Sequence, residues 1–188
     1  MTRIVAGTAK GRRLTVPATG TRPTSDRARE ALFNTLRSYL DIEGAHVLDL
    51  FAGTGAVGLE ALSRGAAAVS FVEVNRAAGA IVGRNIQQVG LSGGHLHKRD
   101  VDAFLAGAPP EAAPFDLVFA DPPYVYPDAR LARVLDALAK PGWLAEDALI
   151  VVERASRAAE PRWAAGIALV TQRRYGEGML WYGRRRDD

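Results

Sequence analysis

The four residues Asp121-Pro122-Pro123-Tyr124 place a carboxylate, a rigid turn and an aromatic ring side by side in the chain. They follow the apolar run 115–120, which is typical of a strand buried in a parallel sheet. Two successive prolines cannot continue a hydrogen-bonded ladder, so the chain must turn away at the carboxyl end of this strand. Ligands of open α/β sheets bind at that edge. We therefore expect a catalytic site in which Tyr124 stacks on a planar base, while Asp121 and the carbonyl of Pro122 accept hydrogen bonds from its exocyclic amine.

A glycine-rich loop, Gly53-Thr54-Gly55, follows a second apolar segment and precedes a helix-forming one. Glycines allow the backbone to turn tightly and to approach a ligand, and the start of the helix offers free N–H groups. Gly53 and Gly55 are therefore candidate cofactor-binding residues, and Phe51 either lines the same pocket or belongs to the core. Together with Gly58, the loop also matches the dinucleotide-binding fingerprint, so an NAD-dependent oxidoreductase is one alternative.

Acidic residues lie at or near the ends of three successive predicted strands. Asp49, before Gly53, would repel a pyrophosphate but would suit a ligand that carries an amino group. S-adenosylmethionine, with its ammonium and its sulfonium, is such a ligand. Glu73 would hold the two ribose hydroxyls of this cofactor, Asp100 would accept a hydrogen bond from its adenine amine, and Asp121 would lie beside it.

The composition excludes several kinds of protein. The chain has 188 residues, 48% of them hydrophobic and none of them cysteine. This composition fits one globular domain in a reducing, cytoplasmic environment and excludes disulfides and Cys-ligated zinc. His95 and His97 have no third partner at metal-binding spacing, so we expect no metal site. No apolar run approaches the ~20 residues of a membrane-spanning helix, so we expect no membrane partner.

Positive charge is concentrated at the two ends of the chain. Residues 1–30 carry a net charge of +5 and residues 173–186 a net charge of +4, whereas residues 31–172 carry −4. This distribution favours a nucleic acid held by the basic ends; solubilising tails and a non-catalytic RNA-binding assembly factor are the alternatives. The candidate RNA-binding residues are Arg3, Lys10, Arg12, Arg13, Arg22, Arg27 and Arg29.

Strand-like and helix-like segments alternate along most of the chain, which predicts right-handed βαβ crossovers. Residues 1–23 form a basic, hairpin-like extension, and residues 24–188 form the main domain, which opens with a helix that runs to about Leu40. Two strand-like segments flank Gly176-Glu177-Gly178 in the tail, as in a hairpin. We therefore predict an α/β fold with a doubly wound, mostly parallel, seven-stranded Rossmann-like sheet and a C-terminal antiparallel hairpin. The predicted strands before the hairpin are 46–51, 69–74, 95–99, 115–120 and 148–153, and the predicted helices between them are 56–64, 76–89, 101–106 and 128–140.

On these motifs the chain resembles the bacterial small-subunit (16S) ribosomal RNA guanine-N2 methyltransferase family, whose members are class I S-adenosylmethionine-dependent methyltransferases of the D-P-P-Y type. The matching stretches are 3–7, 11–14, 22–34, 50–55 and 121–124, in order over nearly the whole chain. The resemblance implies methyl transfer to the exocyclic N2 amine of a guanine in 16S ribosomal RNA, within an assembled or assembling small subunit. It also implies that a flexible basic segment, 1–23, contacts RNA. A monomer is the default expectation.

Two positions bear on the family pattern, and the motif leaves the target base open. Asn75 stands where the family pattern has an acidic residue, which leaves Glu73 as the ribose-binding carboxylate. Tyr124 is Phe in some relatives, which implies that the ring stacks on the base rather than transferring a proton. The motif 121–124 does not by itself distinguish guanine from adenine, so an adenine-N6 methyltransferase acting on DNA or RNA is the nearest alternative.

Overall fold

A seven-stranded sheet lies at the centre of the protein, for which the computed structural model describes residues 2–17 and 25–186. The strands are β1 (Thr2–Arg3), β2 (Arg13–Leu14), β3 (His46–Leu50), β4 (Ala68–Val72), β5 (Gly94–His97), β6 (Phe115–Ala120), β7 (Leu144–Ala155), β8 (Ile167–Tyr175) and β9 (Gly178–Arg185). In the central sheet their order is β5-β4-β3-β6-β7-β9-β8. Strands β3 to β7 are parallel, and β9 runs antiparallel to both β7 and β8. The predicted mostly parallel sheet with a C-terminal hairpin is therefore confirmed.

Helices cover both faces of this sheet. They are α1 (Asp26–Leu36), α2 (Ala56–Ser63), α3 (Arg76–Val89), α4 (Val101–Leu105) and α5 (Asp128–Leu138). Phe33, Leu59 and Val82 pack α1, α2 and α3 against one face, whereas Phe104 and Leu135 pack α4 and α5 against the other. A sheet covered on both faces has strands that are apolar almost throughout, as the sequence pattern indicated. Within the part of the chain that the structure describes, no helix is long and apolar enough to cross a membrane.

Two element boundaries differ most from the predicted ones. Helix α1 ends at Leu36 rather than near Leu40, because the chain leaves the helix in turns while its apolar side chains, including Leu40, still pack on the core. Strand β7 begins at Leu144 rather than at residue 148, since Leu144 already pairs with Phe115 before a shift in register. Asp147, with a φ of 59°, lies within this irregular part of β7. Apolar periodicity thus reported burial correctly but not the ends of the elements.

The basic N-terminal segment is docked on the main domain. Strands β1 and β2 pair antiparallel, and Ile4 and Leu14 are buried in the same cluster as α2. The carboxylate of Glu60 on α2 is buried and accepts hydrogen bonds from the backbone N–H groups of Val5 (2.8 Å) and Ala6 (3.0 Å). Residues 2–17 are therefore fixed on the main domain, by α2 and, through Thr15 and Asn85, by α3. Residues 18–24 lie outside the described part of the chain.

Gly7 and Gly11 form a matched pair that tests how closely this segment is docked. Their φ angles are 82° and 84°, but a Cβ on Gly7 would lie 1.8 Å from the backbone oxygen of Ser63, whereas a Cβ on Gly11 would meet nothing within 4 Å. We expect Gly11→Ala to lower the free energy of unfolding by about 1–2 kcal/mol through backbone strain alone. Gly7→Ala should lower it by roughly 2 kcal/mol more, because the segment must move away from α2. Denaturant titration measures both values, and equal losses would contradict the docking.

Candidate active site

The carboxyl ends of β3, β4 and β6 lie at the same level of the sheet as Val152 within β7, and the residues that come next form one row, the register row, which carries the candidate site. Leu50 of β3 pairs with Val72 of β4 and with Ala120 of β6. Ala120 in turn pairs with Val152 of β7. The next residues along these four segments are Phe51, Glu73, Asp121 and Glu153. The parallel register therefore brings an aromatic ring and three carboxyl groups to the edge where open α/β sheets bind ligands.

The loop after β6 presents Tyr124 to solvent between two anchored ends. Asp121 is half-buried and Pro122 is buried, whereas Tyr124 is 68% exposed. The chain returns to the core at Tyr126, whose ring meets that of Phe51 edge-on at a centroid distance of 5.0 Å. The structure thus places the predicted catalytic residues at the edge of the sheet, with the aromatic ring accessible to a ligand.

The carboxyl group of Asp121 has no hydrogen bond or ion pair with another described residue. Burial raises its pKa well above the usual range, and the nearby carboxyl groups of Glu153 and Asp49 raise it further. A carboxyl group that no protein donor engages remains available to accept hydrogen bonds from a ligand.

Asp49 is buried near the end of β3, beneath the glycine loop. Its Oδ2 accepts a hydrogen bond from the backbone N–H of Gly58 (3.0 Å), which joins β3 to the first turn of α2. Burial raises the pKa of Asp49 to about 8; the hydrogen bond from Gly58 opposes this increase, and the charge of Glu73 adds to it. A cationic ligand above the loop would favour the ionised form.

Glu73 fixes the glycine loop against the end of β4. Its Oε2 accepts a hydrogen bond from the N–H of Gly53 (2.8 Å), and its Oε1 accepts one from the N–H of Asn75 (2.7 Å). Gly53 and Gly55 have φ angles of 58° and 75°, which the glycines allow without strain. Asn75 caps α3 by accepting a hydrogen bond from the N–H of Ala78 (3.0 Å). Each oxygen of Glu73 keeps a lone pair that a ligand hydroxyl can use.

Asp100 caps α4 and also forms an ion pair. Its Oδ1 accepts hydrogen bonds from the N–H groups of Asp102 (3.0 Å) and Ala103 (3.4 Å), and its Oδ2 lies 2.9 Å from Nη2 of Arg130. The guanidinium of Arg130 lies over the ring of Tyr126, 4.8 Å from its centroid. Asp100 is thereby connected to the loop that carries the D-P-P-Y motif, while 40% of its side chain remains exposed.

Glu153 and Arg154 also lie at this site, and neither is among the residues that the sequence pattern predicts. Arg154 donates hydrogen bonds to the carbonyl of Tyr126 (3.0 Å) and to Oδ1 of Asp128 (2.8 Å), and so holds the far end of the loop. Glu153 carried a usable signal, since it follows the apolar run 148–152 as Glu73 follows its own strand.

Arg29 is fully buried and occupied inside the domain. Its guanidinium forms an ion pair with Asp26 (2.9 Å), lies 3.9 Å from Oε2 of Glu60 and donates a hydrogen bond to the carbonyl of Arg3. The prediction that Arg29 contacts RNA is therefore wrong, because its charge is used to join α1, α2 and the N-terminal segment.

The other predicted RNA-binding residues have different positions. Arg12 is exposed, and its guanidinium donates a hydrogen bond to the carbonyl of Val89 at the end of α3. Arg22 lies outside the described residues. The remaining members of the set are exposed: Arg3, Lys10, Arg13 and Arg27.

The charges at the sheet edge determine which cofactor fits. Neither Asp49 nor Asp121 forms an ion pair with a basic side chain in the described parts of the chain. A pyrophosphate would bring further negative charge beside Asp49 and Asp121, which argues against a dinucleotide. A cation would instead offset the charge of the two carboxylates. S-adenosylmethionine fits, because it carries positive charge and its ribose hydroxyls can donate to Glu73.

Comparisons of the sequence and of the structure with known proteins identify related methyltransferases. The family model described as Conserved hypothetical protein 95 matches residues 2–184. The chain is 41% identical over 152 residues to ribosomal RNA small subunit methyltransferase D of Escherichia coli strain K12, covering 80% of this chain and 73% of the relative. It is 33% identical over 186 residues to YlbH of Bacillus subtilis strain 168, covering 97% of this chain and 99% of the relative. The solved structure of Escherichia coli yhhF matches with a TM-score of 0.86 and 36% identity, covering 98% of each chain.

Family, fold and site chemistry lead to one assignment. The family match and the structural match both span nearly the whole chain, including the glycine loop and residues 121–124. The row of carboxyl groups fits a cationic nucleoside cofactor. The chain therefore belongs to the Conserved hypothetical protein 95 family and is an S-adenosylmethionine-dependent methyltransferase.

Proposed function

We propose that this chain transfers a methyl group from S-adenosylmethionine to the exocyclic N2 amine of a guanine in 16S ribosomal RNA. The proposal rests mainly on Asp121, whose carboxyl group forms no hydrogen bond or ion pair with the described residues. The exposed ring of Tyr124 follows it in the same loop. The name of the Escherichia coli relative supports the small-subunit RNA as substrate. In this proposal a monomer acts in the cytoplasm on an assembled or assembling small subunit.

In this proposal, Asp49, residues of the register row and the glycine loop bind the cofactor. Asp49 and Asp121 favour its positive charge, Glu73 accepts from its ribose hydroxyls, and the glycine loop allows its close approach. Bound S-adenosylmethionine supplies an electrophilic methyl group on a sulfonium, so the protein has mainly to align the reactants. The cofactor-binding residues of the proposal are Asp49, Phe51, Gly53, Gly55, Glu73, Asp100 and Asp121.

The D-P-P-Y motif orients the amine. The lone pair of guanine N2 is delocalised into the ring, which makes the amine a poor nucleophile. Hydrogen bonds from its two N–H groups to Asp121 and to the carbonyl of Pro122 favour a pyramidal nitrogen and stabilise the charge that develops on it. Tyr124 stacks on the base, a contact worth ~1–3 kcal/mol on comparable platforms. The target nucleotide must be unpaired or flipped for its amine to reach this site.

Exposed basic and aromatic residues provide the RNA-binding surface of the proposal. Arg173 and Tyr175 of β8 line an open groove of about 410 Å³ beside α1, together with Tyr39. Arginine forks suit phosphates, and aromatic rings suit unstacked bases. On the N-terminal segment and the start of α1, the exposed contributors are Arg3, Lys10, Arg12, Arg13 and Arg27.

Product identification tests this function. The wild-type protein is incubated with labelled S-adenosylmethionine and undermethylated small ribosomal subunits, and the modified nucleoside is identified by mass spectrometry. We expect N2-methylguanosine in 16S RNA. Detection of N6-methyladenosine would show that adenine, not guanine, is the target base. If a protein that binds the cofactor transferred no methyl group, the proposed small-subunit RNA substrate would be contradicted.

Two substitutions should separate catalysis from cofactor binding. Asp121→Ala removes the acceptor for the amine, so the single-turnover rate should fall by roughly 10²–10³-fold, whereas the Kd for S-adenosylmethionine should rise by a far smaller factor. Asp49→Asn keeps an acceptor for the N–H of Gly58 but loses the charge, so the Kd should rise by about tenfold or more. Rapid-quench kinetics and calorimetry measure the two effects. Near-normal turnover by Asp121→Ala would refute its catalytic role.

Substitutions of two nearby arginines should distinguish a role in RNA binding from a role in stability. Arg27→Ala removes an exposed charge, so RNA affinity should fall, and the salt dependence of log K should weaken by about one unit, without loss of stability. Arg29→Ala leaves buried Glu60 without this charge partner, so the free energy of unfolding should fall by about 3 kcal/mol. Filter binding at several salt concentrations and denaturant titration measure these changes. The opposite pattern would overturn the assignment of both side chains.

A further inference from the structure

Glu153 is the member of the register row that the proposed function does not use. Val152 pairs with Ala120, so Glu153 follows on β7 where Asp121 follows on β6. The backbones of neighbouring strands lie about 4.8 Å apart, and residues at paired positions of parallel strands point to the same face. Glu153 is also the nearby charge that acts most strongly on Asp121. The two carboxyl groups therefore form a neighbouring pair at the sheet edge.

The carboxyl group of Glu153 lies in confined surroundings. Its Oε2 is buried and has no hydrogen-bond partner within the described residues. On the neighbouring strand β9, a Cβ on Gly178 would lie 2.9 Å from its Oε1, so a glycine leaves the room that the carboxyl group occupies. Burying an unpaired carboxyl group destabilises a fold, and an apolar side chain would fill the position at lower cost. Stability alone therefore does not explain a glutamate at position 153.

Basic side chains do not offset this pair. The charges of Glu153 on β7 and of Asp49 on β3 both act to raise the pKa of Asp121. Burial likewise raises the pKa of Glu153. Among the described residues, no arginine, lysine or histidine forms an ion pair with any of these three carboxyl groups. A carboxylate in this setting binds a proton more strongly than one in water, which makes it a better general base.

We propose that Glu153 is a positioning residue that makes Asp121 the acceptor of the proton lost by the methylated amine. This inference rests on the proposed function. The lone pair of the amine nitrogen forms the new N–C bond, and the electron pair of the broken S–C bond stays on sulfur. The nitrogen then releases one hydrogen as a proton to a carboxylate oxygen of Asp121 and keeps the N–H electron pair. The charge of Glu153 holds that proton on Asp121 until it passes to solvent.

The pH dependence of single-turnover methyl transfer to small subunits tests the inference. The rate should rise with pH as Asp121 ionises. Glu153→Gln removes the like charge, so the pKa of Asp121 falls and the acid limb should move to lower pH by about one unit. The plateau rate should fall several-fold, because Asp121 is then a weaker base. Glu153→Met, which fills a similar volume without charge, should give the same shift, and Glu153→Asp should restore the wild-type limb.

Glu146→Gln is the matched control, because Glu146 is exposed on the same strand, away from the row. Its profile should superpose on that of the wild type. An acid limb left unmoved by both Glu153→Gln and Glu153→Met, in variants that bind the cofactor normally, would overturn the inference. If the wild-type protein formed no methylated nucleoside in 16S RNA, the proposed function would fail instead, so the two failures are distinguishable.

Discussion

The parallel register of β3, β4, β6 and β7 is the constraint on which the whole candidate site depends. It places Phe51, Glu73, Asp121 and Glu153 in one row, although they are far apart in the chain. A slip of one residue would turn a carboxyl group to the opposite face of the sheet. Such a slip is strongly disfavoured because apolar clusters cover both faces of the strands. The geometry of the site is therefore fixed by the core beneath it, and the loops have only to be braced against that core.

Basic and acidic side chains have different roles around this row. Arginines brace the surrounding structure: Arg29 joins the N-terminal segment to α1 and α2, Arg154 holds the loop after β6, and Arg130 connects that loop to α4. The carboxyl groups of Asp49 and Asp121 have no such counter-charge in the described structure. This arrangement costs stability without ligand and favours a cation at the edge of the sheet. The same two carboxyl groups thus destabilise the free protein and increase its affinity for the cofactor.

The parts of the fold and site that depend on local chemistry were predictable from the sequence. Paired prolines end a strand wherever they occur, and glycines with positive φ mark the loop before α2, so the D-P-P-Y motif and the glycine loop could be located directly. The burial of Arg29 and the position of Glu153 depend instead on residues distant in the chain. Arg29 belongs to the basic cluster of residues 1–30, and this clustering predicts a surface position. Its ion pair with Glu60 reverses that expectation, and sequence spacing gives no sign of it.

The central claim is that a cationic cofactor satisfies the buried carboxyl groups beneath the glycine loop. The most direct test is the number of protons released when S-adenosylmethionine binds, measured by calorimetry at pH 7 in buffers of different ionisation enthalpy. Because burial raises the pKa of Asp49 to about 8, this group is mainly protonated in the free protein and should ionise when the cation binds. We expect proton release by the wild-type protein and clearly less release by Asp49→Asn. Equal release by both proteins, or proton uptake by the wild type, would contradict the account.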